Sequence, residues 1–207
     1  MANEEQIVGT VIDSVRNAGL VQIEVSARHV HLDKKCMDIL FGEGHTLTAV
    51  RELSQPGQYL SEERVDVIGP KGSFKHVAVL GPERPHVQVE VSSSDCFALG
   101  ITAPIRQSGD TKGSASVTLV GPCGQVTIDE GAIIALRHVH MTPDDAERLG
   151  LTDNQIVSVE VLSDDRSLVF NDVVIRVSPK FRTRMHVDTD EAGAAHISGF
   201  TLGRIIK

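Results

Sequence analysis

Arg28-His29-Val30-His31 recurs further along the chain as Arg137-His138-Val139-His140. In an extended strand, side chains alternate between faces with period two. His29 and His31 therefore point one way and Val30 the other; His138 and His140 repeat the arrangement around Val139. Two imidazoles two residues apart on a strand can grip one metal ion, and zinc suits nitrogen ligands of this kind. Two copies predict two metals. They also predict two related β-rich halves, each presenting one His-x-His pair.

The repeat extends beyond the tetrapeptide. Val21-Gln22-Ile23-Glu24-Val25 alternates cleanly and reads as a strand leading into the first copy. Each copy is followed by a short helix and a glycine, Leu40-Phe41-Gly42 in one case and Leu149-Gly150 in the other. Asp33 is a good N-cap for the first helix, read over Asp33–Leu40. Thr142-Pro143-Asp144-Asp145 is a strong start for the second. Further strands are expected at Arg64–Ile68, Phe74–Leu80, His86–Val91, Ser116–Val120, Gln125–Ile128, Ile133–Val139, Gln155–Leu162, Ser167–Phe170 and Val173–Val177. Gly69-Pro70-Lys71-Gly72, Gly81-Pro82 and Gly121-Pro122 punctuate them. Phe181–Val187 reads as extended, and Asp188-Thr189-Asp190-Glu191 opens a short helix. Many short strands between Gly/Pro turns point to barrels or sandwiches.

Composition agrees. Of 207 residues, 41% are hydrophobic and 23% charged, so a packed core is expected. Aromatic residues make up 3%, with no Trp and a single Tyr (Tyr59), which reads against base-stacking platforms. The net charge of −8 argues against nonspecific nucleic-acid binding. An anionic substrate would need local Arg, Lys or metal. Cys36, Cys96 and Cys123 are widely spaced and odd in number, so no disulfide framework is expected; they read as inert thiols. Met1–Gln6 is polar and acidic, unlike a secretory signal, and no run of 18 apolar residues would span a membrane. A reducing cytosolic compartment is expected.

Residues Asn3–Asn17 carry Val8, Val11, Ile12 and Val15 at helical spacing, with Gly19 as a stop. This amphipathic helix either packs on the body or docks elsewhere. Of the remaining candidates, Glu90 lies on a strand whose alternation puts His86, Gln88 and Glu90 on one face. His186 sits in an extended stretch, Arg184-Met185-His186-Val187. Each is either a further ligand or a solvated side chain. His45, His76 and His196 read as surface residues. Arg84, between Pro82 and Pro85, is either a held oxyanion binder or a solvated turn residue.

Five stretches resemble one family, the PduL-type phosphotransacylases (phosphate propanoyltransferases). They are Val25-Ser26-Ala27-Arg28-His29-Val30-His31-Leu32, Val79-Leu80-Gly81-Pro82-Glu83-Arg84, Gln88-Val89-Glu90, Ala135-Leu136-Arg137-His138-Val139-His140-Met141, and Met185-His186-Val187-Asp188-Thr189-Asp190-Glu191-Ala192. The resemblance implies a mainly β fold of two short β-barrels capped by small helices. Residues 1–20 would form the N-terminal helix, 21–28 with 136–207 the first barrel, and 29–135 the second. It implies a dinuclear zinc site: His29, His31 and Glu90 on one ion, His138, His140 and His186 on the other. Arg84 would bind phosphate. Coenzyme A contacts would fall at Val25, Ser26, Ala27, Lys71, Ala78 and Gly193.

The implied reaction is reversible acyl transfer between CoA and inorganic phosphate, with a short acyl chain such as propanoyl. For the step itself we expect direct attack of phosphate on the acyl carbon, without a covalent acyl-enzyme. Some members work inside bacterial microcompartments, such as those of propanediol degradation, where an N-terminal helix is the encapsulation signal. Shell or cargo proteins would then be partners, and a homo-oligomer is compatible with the same reading. Two rivals stand beside it. A dinuclear zinc hydrolase of thioesters or related esters would act without phosphate. A zinc-stabilised scaffold would close each metal with four protein ligands rather than three.

Overall fold

The structure, a computed structural model, describes residues 17–163 and 165–207, together with Thr10 and Ser14. Apart from Thr10, Ser14 and Asn17, the helix expected over Asn3–Asn17 lies outside the described residues. The chain divides into two compact units. The first takes Met1–Val25, Arg137–Val187 and Glu191–Lys207; the second takes Ser26–Leu136 and Asp188–Asp190.

Both units are closed six-stranded barrels. In the first, β1 (Leu20–Val25), β13 (Arg184–Val187), β10 (His138–Met141), β12 (Val169–Val177), β11 (Ile156–Leu162) and β14 (Thr201–Ile206) pair in that order and β14 returns to β1. In the second, β2 (His29–His31) pairs with β5 (Ser73–Gly81) and β6 (Gln88–Glu90). β6 continues to β9 (Gln125–Ala135), β9 to β8 (Ala115–Val120), and β8 to β4 (Tyr59–Ile68), which closes on β5. β3 (Ala49–Glu52) hangs on β4, and β7 (Ile105–Arg106) on β9. Closure leaves few unpaired edges.

The pairings coincide strand for strand. β2, β4, β5, β6, β8 and β9 of the second barrel correspond to β10, β11, β12, β13, β14 and β1 of the first. Each corresponding pair has the same sense: β2 is parallel to β5 and antiparallel to β6, as β10 is to β12 and β13. β9 runs directly into β10, and β1 directly into β2. Each sequence repeat therefore lends its leading strand to the barrel built by the other repeat. A finer repeat lies inside each barrel. A short strand and a helix occur four times: β2 with α1 (Lys34–Phe41), β6 with α2 (Ser93–Leu99), β10 with α3 (Pro143–Leu149), and β13 with α4 (Thr189–Ala194).

Local chemistry explains these elements. The centre of each short strand is apolar and fully buried: Val30, Val89, Val139 and Met185 are all 0% exposed. Burying each is worth about 1.5–3 kcal/mol. The flanking polar residues then face the opposite side of the strand. Asp33, Ser92 and Thr142 cap the first three helices by accepting from the backbone amide three residues on, at 2.8, 3.2 and 3.2 Å. The turns Gly69-Pro70-Lys71-Gly72 and Gly121-Pro122-Cys123-Gly124 finish α2 and α1 respectively. Lys71 N donates to Leu99 O and Cys123 N to Leu40 O, each at 3.0 Å. A Cβ on Gly69 or Gly121 would lie 2.3 or 2.4 Å from those same carbonyl oxygens, so only glycine lets the turn approach.

Some expected boundaries shift. Gln125–Ile128 and the start of Ile133–Val139 form one strand, because β8 and β6 pair with it along its length. Ser167–Phe170 and Val173–Val177 likewise merge, with a register shift opposite β11 and Asp172 at φ 56° absorbing the extra residue. His86 precedes a strand confined to Gln88–Glu90 and is exposed, so it does not share the Gln88–Glu90 face. β14 gives no clear alternation, because Gly203 takes an interior position: a Cβ there would lie 2.6 Å from Val159 and 3.0 Å from Ile23. No helix among the described residues is long and apolar enough to cross a membrane.

Candidate metal centres

Each barrel brings together one group of three side chains that could hold a metal ion. In the second unit these are His29, His31 and Glu90; in the first, His138, His140 and His186. Within each group the ligand atoms all lie within 4.8 Å of one another. The two groups are built alike. The third residue stands directly across an antiparallel strand pair from the first histidine: Glu90 opposite His29, and His186 opposite His138. The remaining corner of each strand pair is Gln88, opposite His31, and Arg184, opposite His140.

The second unit's group is held from behind. His29 Nδ1 lies 2.9 Å from Ala27 O, and His31 Nδ1 lies 3.2 Å from Leu80 O. A proton on each Nδ1 satisfies those carbonyls and leaves both Nε2 lone pairs for a metal. Glu90 Oε1 accepts from Gln88 Nε2 (2.6 Å) and Ser108 Oγ (3.1 Å), while Oε2 stands 3.6 Å from His29 Nε2. Gln88 is itself fixed by Gly109 N, which donates to its Oε1 at 2.7 Å. Ser108 also accepts from Arg84 Nη1 at 3.3 Å, and Arg84 N donates to Leu32 O at 2.8 Å. Arg84 is thus fastened both to the strand that carries the histidines and to the network behind Glu90.

The electrostatics favour a cation. Burial opposes charge on His29, but the Glu90 carboxylate beside it and the Ala27 carbonyl together outweigh burial and raise its pKa. His31 is pushed down to about 3, first by burial, then by the charges of His29 and Arg84. One imidazole draws positive charge while its neighbour stays a neutral donor. That donor chemistry, with Nδ1 anchored and Nε2 facing a carboxylate oxygen, fits a divalent zinc ion.

In the first unit the three rings close on one another. His138 and His140 centroids are 4.5 Å apart, His140 and His186 5.0 Å, and His138 and His186 5.3 Å. Phe181 packs on His140 at 4.1 Å and shields that flank. Three imidazoles gathered this closely also suit zinc.

The other expected site residues are spread along the chain, and Ala27 and Ala78 adjoin His29. Val25 ends β1 and is exposed, Ser26 and Ala27 form the link into β2, Lys71 is exposed in its Gly-Pro turn, and Ala78 on β5 is the parallel partner of His29. Gly193 lies on α4, where an added Cβ would meet nothing within 4 Å. His76 and His196 are exposed, whereas half-buried His45 stacks on Phe41 and lies 2.9 Å from Glu63. Cys36 and Cys96 are buried, and burial, aided by Asp33, pushes the Cys36 thiol up to about 12. Burial also raises the Cys96 thiol, so neither is a nucleophile at neutral pH. Cys123 is exposed. Residue reading passed over Ser108. Its hydroxyl lies in a loop, and no spacing in the sequence links it to Glu90.

Residues 22–198 match the family described as phosphate propanoyltransferase. The chain belongs to the phosphate propanoyltransferase family. Membership makes it an acyltransferase. A curated member from Clostridioides difficile (strain 630), named phosphate propanoyltransferase, is 50% identical over 202 residues, which cover 98% of this chain and 96% of that one. A member of the same name from Listeria monocytogenes serovar 1/2a is 47% identical over 99% of this chain and 97% of its own length. Another from Thermotoga maritima is 47% identical over 97% of this chain and 95% of its own.

Proposed function

We propose that this chain transfers a short acyl group, propanoyl or similar, reversibly between coenzyme A and inorganic phosphate, with two zinc ions, one in each unit. The observation that carries the metal reading is the repeated ligand triad, with the third ligand at the same cross-strand position in both barrels. Three protein donors per ion leave a coordination position for substrate, as in catalytic rather than structural zinc sites. When bound, zinc supplies Lewis acidity that polarises a carbonyl or phosphoryl oxygen.

The chain's own residues do the rest. Arg84 presents the guanidinium that holds phosphate, a use suited to its planar fork of donors. Ser108 accepts from the guanidinium, and the Leu32 carbonyl holds the Arg84 backbone. Gln88 and Ser108 hold Glu90 so that Oε2 faces His29. Val25, Ser26, Ala27, Lys71, Ala78 and Gly193 contact coenzyme A on this reading. Fixing phosphate beside the thioester converts a bimolecular step into an oriented one, worth up to about 7–11 kcal/mol in ideal cases. The oxygen–acyl bond forms as the acyl–sulfur bond breaks, and CoA leaves as the thiolate, which then takes a proton from water.

The test is thiol release from propionyl-CoA by zinc-replete protein, with and without inorganic phosphate. Release that requires phosphate supports acyl transfer. Release at the same rate without phosphate identifies a hydrolase and rejects the proposal.

A further inference from the structure

We propose that Arg28 and Arg137, the leading residues of the two Arg-His-Val-His stretches, are positioning residues that latch the two ligand triads in register. This rests on the reading that the triads hold zinc.

The geometry at Arg28 is specific. Its Nε and Nη2 both donate to Asp95 Oδ1, at 3.0 and 2.6 Å. Its guanidinium also lies 4.0 Å from the Phe74 ring centroid. Asp95 is the third residue of α2 and is 3% exposed, and its other oxygen accepts from Ser92 N at 3.1 Å. Arg28 directly precedes His29, and Ser92 follows Glu90 by two residues. The pair therefore ties the chain entering one ligand to the chain leaving the ligand opposite it. It does so at the end of the strand pair where His29 faces Glu90.

Arg137 makes a looser, single-contact counterpart. It directly precedes His138, and its Nε lies 3.4 Å from Oε1 of Glu191, the third residue of α4, the helix that follows His186. Its guanidinium lies 5.4 Å from the ring of Phe170. Phe170 lies on β12 and Phe74 on β5, the corresponding strands of the two barrels.

The same position at the opposite end of each strand pair serves as an internal comparison. There Thr183, ahead of β13, donates to Asp145, the third residue of α3. Val87, ahead of β6, and Cys36, the third residue of α1, are both buried in one apolar core and line one cavity. The topology thus places a residue ahead of each short strand near the third residue of the helix after its partner strand. An arginine stands there only at the end where the first histidine and the third ligand face each other.

Why a latch is needed follows from strand length. β2 and β6 hold three residues each and meet through three register pairs. Strand ends fray unless tied. A fork of two donors onto a buried carboxylate, stiffened by an aromatic face, limits both slide and rotation at that end.

The test uses zinc affinity, measured by competition with a chromophoric chelator, in a background that leaves one triad at a time. With His138→Ala and His140→Ala present, adding Arg28→Gln should weaken the remaining site by about 10–100-fold, the range for partners behind metal ligands. It should also shift the visible spectrum of the cobalt-substituted protein. In a His29→Ala, His31→Ala background, Arg137→Gln should do the same at the other triad, and Arg28→Gln should not. Arg28→Lys keeps the charge but not the fork, so a smaller loss is expected. If Arg28→Gln melts as apoprotein, Arg28→Lys and Asp95→Asn carry the test. Zinc affinity and cobalt spectrum unchanged in all of these, with the parent binding two zinc ions, would overturn the latch and leave the metal reading intact. A parent that binds no zinc overturns both.

Discussion

Replacing Ser108 with alanine isolates the link between the metal triad and Arg84. The hydroxyl accepts from Gln88 Nε2 (2.8 Å) and Arg84 Nη1 (3.3 Å) and donates to Glu90 Oε1 (3.1 Å). Removing it costs Glu90 that donor, while Gln88 remains at 2.6 Å. A hydrogen bond to a charged group contributes about 1.5–3 kcal/mol. Ser108 is half-buried, so water replaces part of that, and the lower end applies. At 1.4 kcal/mol per decade, Ser108→Ala should weaken zinc at the His29–His31–Glu90 triad by about tenfold. It should also raise KM for phosphate, because Arg84 loses its hydrogen bond to Ser108. The His138–His140–His186 triad should keep parent affinity. The assays are chelator competition and phosphate-dependent thiol release. Parent zinc affinity together with parent KM for phosphate, in a folded variant, would refute the reasoning.

Three further outcomes are expected. His29→Ala or His138→Ala should each lower bound zinc from about two ions per chain to about one, read by metal analysis after gel filtration; loss of both ions from a folded single variant contradicts independent triads. Met185→Ala, at a fully buried strand centre, should cost about 2–5 kcal/mol in urea unfolding. Glu63 gives a pH dependence. Burial pushes its pKa up, but its own backbone amide, His45, the Thr48 amide and Ser61 outweigh that and hold it below the usual carboxylate value. A depressed folded pKa means its contribution is present above the unfolded value near 4.3 and is lost as pH falls through the folded value. Glu63→Gln should therefore flatten the acid limb of stability against pH below about 4, and an unchanged limb would count against it.

Much of the site was legible because its signals are local. Period-two alternation puts His29 with His31 and His138 with His140, whatever the rest of the chain does. N-capping is equally local, so Asp33 and Thr142 announce α1 and α3. Duplication of the tetrapeptide announced two related halves. On residues alone, Glu90 and His186 stood open between ligand and solvated side chain, and only the family resemblance chose them. β14 and Ser108 carried no local signal at all: Gly203 hides an interior position, and a loop serine looks like any other.

The sequence by itself determined the two histidine pairs along their strands, the caps and the existence of a repeat, because each depends on neighbours a few residues apart. Only the tertiary structure decided which residue faces which. Cross-strand register places Glu90 opposite His29 and His186 opposite His138. Barrel closure sets that register, through buried centres such as Val30 against Val89 that must meet in one plane. The same closure carries β1 and β9 into the barrel of the other repeat and sets Arg28 on Asp95. Such contacts join residues far apart in the chain, and no periodicity encodes them.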